Sequence, residues 1–102
     1  MVEFNKLVRD HIPDIIQSQG ESAHIQVLSD DRFIFELDRK LCEEVQEYQQ
    51  SKDIEELADI LEVIEAICQA RGYSLNELHK LKEEKCKSRG AFSKRYYLVS
   101  KE

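Results

Sequence analysis

An all-α fold is predicted by three features of this 102-residue sequence. The chain contains one proline and three glycines, so few residues interrupt helices. Long segments carry apolar residues three and four positions apart, which is the spacing of one helix face. These segments begin at serine or aspartate residues that are typical helix caps. The length fits one domain, residues 1–102, with a modest core.

The first half of the chain is predicted to contain a short and a long helix. Pro13 suits the first turn of a short helix, and Gly20 suits its C-terminal end. Asp30 and Asp31 then offer an N-cap for a long helix that continues to about Gln50.

Two further long helices are predicted in the second half. The turn at Ser51–Asp53 restarts the chain into a helix that stops at Gly72. Ser74 and Glu77 then match a capping box, which predicts a helix towards Ser88. Because the turn between the first two long helices is short, we expect them to pack as antiparallel neighbours.

A small antiparallel ribbon is the predicted exception to the helical pattern. The stretch around 24–28 is rich in β-branched residues, and 96–99 also reads as a short strand. Since a lone strand is not stable, we expect these two to pair if they form.

Composition and charge exclude several functional classes. A hydrophobic content of 41% and a charged content of 35% predict a soluble globular protein. No apolar run approaches a membrane span, and the first residues lack the apolar core of a signal peptide. The net charge is −6, with basic residues concentrated in 85–102, so an extended nucleic-acid interface is not expected. Three cysteines without a CxxC pair favour reduced thiols and a cytoplasmic location, namely Cys42, Cys68 and Cys86.

Acidic residues interrupt the apolar face of the first long helix. On a helical wheel Glu44 falls between Phe33 and Leu37, inside the apolar stripe. Glu47 lies just beyond the edge of that stripe, and Glu43 lies further out. A solvated face therefore accounts for Glu43 but not for Glu44.

The second long helix repeats this anomaly. Glu56 falls between Val63 and Ile67 on its wheel, and Asp59 borders the same apolar arc. Glu65 also falls inside the arc, where it could be a buried acid, an interface residue or a further member of a site. Each helix thus offers two carboxylates three positions apart, with one embedded among apolar residues.

Four carboxylates between two helices need either raised pKa values or neutralising cations. Lys40 is placed to pair with Glu44, four residues on, but one lysine does not balance four acids. Mg²⁺ or Mn²⁺ prefers carboxylate oxygens and keeps positions open for water and phosphate. The histidines lie in other segments, which argues against zinc. The pattern therefore predicts a magnesium site, with solvated acids as the competing interpretation.

These motifs resemble those of a known superfamily. K-L-x-E-E-x-x-E at residues 40–47, followed by E-x-x-D at 56–59, resembles the signature of MazG-like all-α nucleoside triphosphate pyrophosphohydrolases, which include the phosphoribosyl-ATP pyrophosphohydrolases. The flanking stretches NKLVRDHIP at 5–13 and KSRGAFSKRYYL at 87–98 resemble a branch of small single-domain proteins. The resemblance covers nearly the whole chain.

The resemblance implies Mg²⁺-dependent cleavage of a nucleoside triphosphate into a monophosphate and pyrophosphate. Glu44, Glu47, Glu56 and Asp59 would then be the metal ligands, and Glu43 a supporting acid that contributes to catalysis together with Glu44 and Glu47. Cations are also needed for the negative charge of the phosphates. The candidates for this role are Lys6, Arg9, Lys40, Lys87, Arg89 and Arg95.

The sequence also predicts that the chain associates with itself. The second long helix is apolar almost all round, which predicts a homo-oligomer, a dimer or tetramer, in keeping with the superfamily.

A non-catalytic helical interaction module with buried acids is the main alternative to the pyrophosphohydrolase function. An RNA-contacting protein that uses the tail is a weaker one, because the body of the chain is acidic. The sequence does not indicate which base or sugar the nucleotide carries.

Overall fold

A computed structural model describes residues 2–102 of the chain. Within this range four α-helices are present and no β-strand is formed. The chain divides into two compact units, one ending at Gly72 and the other comprising Tyr73–Glu102. The helices of the first unit are α1 (Ile12–Ser18), α2 (Asp30–Ser51) and α3 (Ile54–Arg71), and that of the second is α4 (Leu75–Arg89). The all-helical class predicted from the sequence is confirmed.

Helix α1 has the predicted signals at both ends, whereas α2 begins at a different cap from the one predicted. Pro13 lies in the first turn of α1, and Gly20, just beyond its end, has a φ of +84°. The N-cap of α2 is Ser29 rather than an aspartate, and its hydroxyl accepts a hydrogen bond from the Arg32 backbone N–H at 3.4 Å. Asp30 and Asp31 instead occupy the first turn, where their negative charges stabilise the helix by interacting with the positive end of its dipole.

A two-residue connection joins α2 to α3. Lys52 ends α2 in the left-handed conformation, with a φ of +61°. The Ser51 hydroxyl accepts a hydrogen bond from the Asp53 N–H at 3.2 Å, and Asp53 is the N-cap of α3. Gly72 ends α3 with a φ of +74°. So short a connection makes α2 and α3 an antiparallel hairpin, as predicted.

The core of the first unit lies between α2 and α3. Leu37 of α2 and Val63 and Cys68 of α3 are its buried apolar residues. An ion pair between Arg71 Nη2 and Asp38 Oδ2, at 3.2 Å, also joins the two helices. Since both partners are partly exposed, this pair adds less to stability than the apolar contacts do. The hairpin is therefore held mainly by one small apolar seam.

The second unit consists of α4 and the C-terminal tail. The Ser74 hydroxyl accepts a hydrogen bond from the Glu77 N–H at 3.3 Å, which is half of the predicted capping box. Gly90 ends α4 with a φ of +84°. The predicted limits of this helix, Ser74 to about Ser88, are thus confirmed to within one residue.

The predicted ribbon is not seen among the described residues. Residues 24–28 and 96–99 both have no regular secondary structure. Their apolar side chains are largely exposed, with Val27 at 90% and Tyr97 at 88%. A β-branched stretch gains little from an extended conformation unless a partner strand satisfies its backbone groups. The strand propensity of these stretches therefore did not predict their structure correctly.

Candidate functional site

The hairpin of α2 and α3 brings the predicted carboxylates together. One carboxylate oxygen from each of Glu44, Glu56 and Asp59 lies within 4.8 Å of the other two. Oxygens of Glu43, Glu44 and Glu47 form a second group within the same distance. Glu44 belongs to both groups, so it lies at the centre of a five-residue acidic cluster. All four predicted metal ligands are members of this cluster.

Glu44 is the most unusual member of the acidic cluster. It is 6% exposed and is the one buried charged residue in the described part of the chain. Its Oε2 atom, and Oε2 of Glu56, are buried and receive no hydrogen bond from any described residue. A buried carboxylate oxygen without a donor costs free energy, so most proteins avoid the arrangement. Within residues 2–102, these two oxygens are the buried side-chain polar atoms that no hydrogen bond satisfies.

The surroundings of Glu44 raise the pKa of its carboxyl group above the ordinary value of 4.5. Burial is the main cause, because it disfavours the charged form. The neighbouring Glu47 carboxylate raises the pKa of Glu44 as well, through a hydrogen bond and through repulsion between the two negative charges. Lys40 opposes both effects without cancelling them. The residues around Glu44 therefore disfavour its ionised form, compared with a glutamate exposed to water.

Three cationic side chains contact the acidic cluster. Lys40 Nζ lies 3.4 Å from Oε1 of both Glu43 and Glu44, which confirms the predicted pairing with Glu44. Lys6 Nζ lies 3.8 Å from Glu43 Oε1. These two lysines therefore offset part of the negative charge on the α2 side of the cluster, where neither of them pairs with Glu47.

Arg9 contacts the α3 side of the cluster. Its Nη2 atom donates a hydrogen bond of 2.7 Å to Asp59 Oδ1, the shortest of the side-chain hydrogen bonds between charged groups in residues 2–102. Both side chains are partly exposed, at 57% and 39%. This contact ties the N-terminal segment to α3 and occupies one oxygen of a predicted metal ligand.

A charge count indicates what the cluster can accept. Five ionised carboxylates carry −5, and the three contacting cations carry +3, which leaves −2. One divalent cation would balance this charge. The donor set consists of carboxylate oxygens, which are hard ligands suited to Mg²⁺ or Mn²⁺. The residues present therefore fit the predicted metal on charge, on donor type and on the two buried oxygens without partners.

The predicted substrate-binding residues are divided between the two units. Lys6, Arg9 and Lys40 lie in the first unit and contact carboxylates of the cluster. Lys87 and Arg89 lie at the end of α4, and Arg95 lies in the tail with a φ of +55°. Their predicted contact with phosphate groups stays a prediction. Glu65, which the wheel placed inside the apolar arc, is exposed.

Sequence reasoning missed the link between Arg9 and Asp59. The two residues are 50 positions apart, and Arg9 lies in an irregular segment before α1. No periodic signal predicts such a contact. Sequence reasoning also missed Asn5 and Arg39, which lie beside Lys6 and Lys40 in a pocket described below.

Of three comparisons with known proteins, one found a relative of the chain. No protein-family model matches the chain, and no solved structure matches it with statistical significance. A protein of Mycolicibacterium smegmatis (strain ATCC 700084 / mc(2)155), described as uncharacterized, is 50% identical over 42 residues. This match covers 41% of the present chain and 43% of the relative, so the chain spans less than half of that protein. Among the described residues, no helix is both long and apolar enough to cross a bilayer.

Proposed function

We propose that this protein is a Mg²⁺-dependent nucleoside triphosphate pyrophosphohydrolase of the MazG-like type. In this proposal it cleaves the bond between the α and β phosphates and releases a nucleoside monophosphate and pyrophosphate. Its role would be to remove unwanted nucleotides from the cytoplasmic pool. The proposal rests on the resemblance of the two acidic motifs and on the geometry of the cluster they form.

The observation that carries the proposal is the pair of unpartnered oxygens on Glu44 and Glu56. Glu44 and Glu56 lie on two different helices, and both residues belong to the group in which one carboxylate oxygen of each member lies within 4.8 Å of the others. A solvated acidic face explains exposed carboxylates but not buried ones without donors. A merely structural role would be served better by apolar residues at these positions.

In this proposal the residues of the acidic cluster are either metal ligands or supporting acids. Glu44, Glu56 and Asp59 would hold a divalent cation between the helices, with Glu47 beside Glu44 as a fourth ligand. Such a cation supplies charge screening for the triphosphate and lowers the pKa of the attacking water. Glu43 is held by two lysines and stays a supporting acid. Water would add to the α phosphorus while the bond between that phosphorus and the bridging oxygen breaks. The bridging oxygen would leave with the pyrophosphate, and the proton of the attacking water would pass to the solvent.

A panel of nucleoside triphosphates tests this function directly. We expect release of pyrophosphate, not orthophosphate, from at least one ribo- or deoxyribonucleotide when Mg²⁺ is present. Chelation with EDTA should abolish the release, and added Mg²⁺ or Mn²⁺ should restore it. Product analysis by ³¹P NMR distinguishes the two products. Absence of turnover across the whole panel, with and without metal, would contradict the proposal.

A non-catalytic interaction module is the second candidate, and the exposed face of α3 favours it. Ile54 is 81% exposed, Leu61 is 60% exposed and Leu57 is 44% exposed. These residues are three and four positions apart, so they form one contiguous apolar strip, and a contiguous exposed apolar patch is typical of an interaction surface. We infer that a second copy of the chain covers this α3 face, which also agrees with the predicted homo-oligomer. The two candidates differ in whether the assembly turns over nucleotides.

Substitution of Leu61 by aspartate is expected to weaken self-association at least tenfold. A buried leucine contributes about 1.5–3 kcal/mol, and a buried unpaired charge adds a further penalty. Sedimentation velocity over a concentration series measures the change, and circular dichroism verifies that helix content is retained. Val27→Asp is the matched control, because Val27 is 90% exposed and lies outside α3. A wild-type protein that is monomeric at all concentrations would contradict the assignment of the α3 face.

A further inference from the structure

A pocket of about 400 Å³ lies beside the acidic cluster in the first unit, between the N-terminal segment and α2. The N-terminal segment contributes residues 5–7, and one face of α2 contributes the opposite wall. The polar and charged side chains that matter for its chemistry are Asn5, Lys6, Glu36, Arg39, Lys40 and Glu43. We call this the N-terminal pocket. Its volume is large enough for a group of several heavy atoms.

The charge of the N-terminal pocket is positive although the whole chain is acidic. Three cations and two carboxylates line it, which gives a net charge of +1 against −6 for the protein. Arg39 Nη1 donates a hydrogen bond of 3.2 Å to Glu36 Oε1, so that carboxylate is already neutralised. Glu43 Oε1 is approached by two ammonium groups rather than one. An anion entering here therefore meets an excess of donors over acceptors.

Of the three cations in the pocket, Lys6 is the one that keeps all its hydrogen-bond donors available for a ligand among the described residues. Its ion pair with Glu43 is 3.8 Å long, and its ammonium group makes no hydrogen bond within residues 2–102. The chain bends at Lys6, directly after Asn5, whose φ of +46° lies in the left-handed region. Asparagine tolerates this conformation better than most residues, but it still costs some free energy. The backbone thus adopts an uncommon turn at the point where Lys6 enters the pocket wall.

The N-terminal pocket and the acidic cluster share a wall. Glu43 lines the pocket, and its oxygen also lies within 4.8 Å of oxygens of Glu44 and Glu47. Lys40 lines the pocket as well and contacts Glu44 at 3.4 Å. A group bound in the pocket is therefore adjacent to the carboxylates that would hold a divalent cation. A molecule with several linked phosphates suits both the N-terminal pocket and the acidic cluster. Basic side chains in the pocket and a metal ion held by the cluster would each bind phosphate oxygens.

We propose that the N-terminal pocket is the subsite for the pyrophosphate portion of the triphosphate substrate, with Lys6 and Arg39 as its principal donors. This assignment rests on the proposed function and adds the location of the leaving group to it. Lys40 then stays with Glu43 and Glu44 at the boundary between the subsite and the acidic cluster. Arg39 presents a planar group with several donors, which suits bidentate binding of phosphate.

Binding of inorganic pyrophosphate to the full chain tests the subsite without requiring catalysis. Isothermal titration calorimetry in the presence of Mg²⁺ compares wild type with Lys6→Gln and Arg39→Gln. Each substitution is expected to weaken pyrophosphate binding about tenfold, the effect of one lost charge-assisted hydrogen bond. Arg32→Gln is the matched control: it removes one positive charge in the first turn of α2, outside the pocket lining, and should change the affinity less than twofold.

Three outcomes would overturn the subsite. One is unchanged pyrophosphate affinity in both pocket variants, and another is an equal loss in Arg32→Gln, which would indicate a general charge effect. The third is weakened binding of uncharged nucleosides with pyrophosphate affinity unchanged, because the pocket would then hold the base and sugar. Lys6 is a partly exposed side chain without hydrogen bonds among the described residues, so Lys6→Gln should fold normally. Pyrophosphate binding reports on the subsite and triphosphate turnover reports on the proposed function, so either can fail alone.

Discussion

Replacement of Glu44 by glutamine is expected to reduce Mg²⁺-dependent pyrophosphate release about a thousandfold, since a catalytic metal contributes several kcal/mol to transition-state stabilisation. Asp59→Asn should have a similar effect, because it removes a carboxylate of the same group on the facing helix. Both substitutions keep the size of the side chain and remove only its charge. Initial rates measured over a range of Mg²⁺ concentrations distinguish weaker metal binding, which excess Mg²⁺ offsets, from loss of the site.

Glu62→Gln is the matched control for these two variants. Glu62 lies on α3 between Asp59 and Glu65, is exposed, and is outside both groups of converging carboxylates. Its neutralisation should leave turnover within about twofold of wild type, as is usual for an exposed surface residue. Activity that is equal in wild type and in the Glu44 and Asp59 variants would show that the metal site is wrongly assigned, even if the protein hydrolyses nucleotides.

The helices were predictable because their signals are local. The Ser74 hydroxyl caps α4 through a residue three positions away, and Gly72 ends α3 at its own position. Such signals act within one turn of chain and do not depend on distant partners. The ribbon failed for the opposite reason, since residues 24–28 and 96–99 need partners far away in sequence. Propensity alone does not supply a partner.

The acidic cluster was predictable to the extent that it follows from helical periodicity. The position of Glu44 inside the apolar stripe of α2 predicted its burial, and the short α2–α3 connection predicted which helix it faces. The cations of the N-terminal segment were not predictable in the same way. Arg9 contacts Asp59, and Lys6 contacts Glu43, from an irregular segment in which Asn5 has a positive φ. Irregular segments have no period from which contacts can be derived.

Removal of the Glu44 charge is also expected to stabilise the metal-free protein, by an amount that depends on pH. In the unfolded chain this carboxyl titrates near 4.5, and in the folded protein burial and Glu47 raise its pKa. Between these two pKa values the folded state binds more protons than the unfolded state, so stability falls as pH rises through this range. Below 4.5 the ionisation penalty is absent, and above the raised pKa it is complete.

Glu44→Gln has no ionisable group at this position, so the difference in the free energy of unfolding between variant and wild type should grow from about pH 4.5 upwards and then level off. At neutral pH we expect the variant to be more stable by about 1–3 kcal/mol, because glutamine has no charge to desolvate and no charge to repel Glu47. Lys40 does not become an unpaired charge, because it keeps its 3.4 Å hydrogen bond to Glu43. Urea denaturation between acidic and mildly alkaline pH measures the difference, with Glu62→Gln as the reference for an exposed carboxylate.

Mg²⁺ should reverse this order of stability. A cation that binds only the folded state stabilises wild type in proportion to the logarithm of its concentration, whereas Glu44→Gln should gain little. The benefit to wild type should be larger at mildly alkaline pH than near pH 4.5, because the ligand must be deprotonated to bind metal. A variant that is less stable than wild type without metal would show that the ionised Glu44 is already satisfied by the protein. The expected pattern instead means that the buried carboxylate destabilises the empty fold and stabilises the loaded one, which is the behaviour of a residue retained for its ligand.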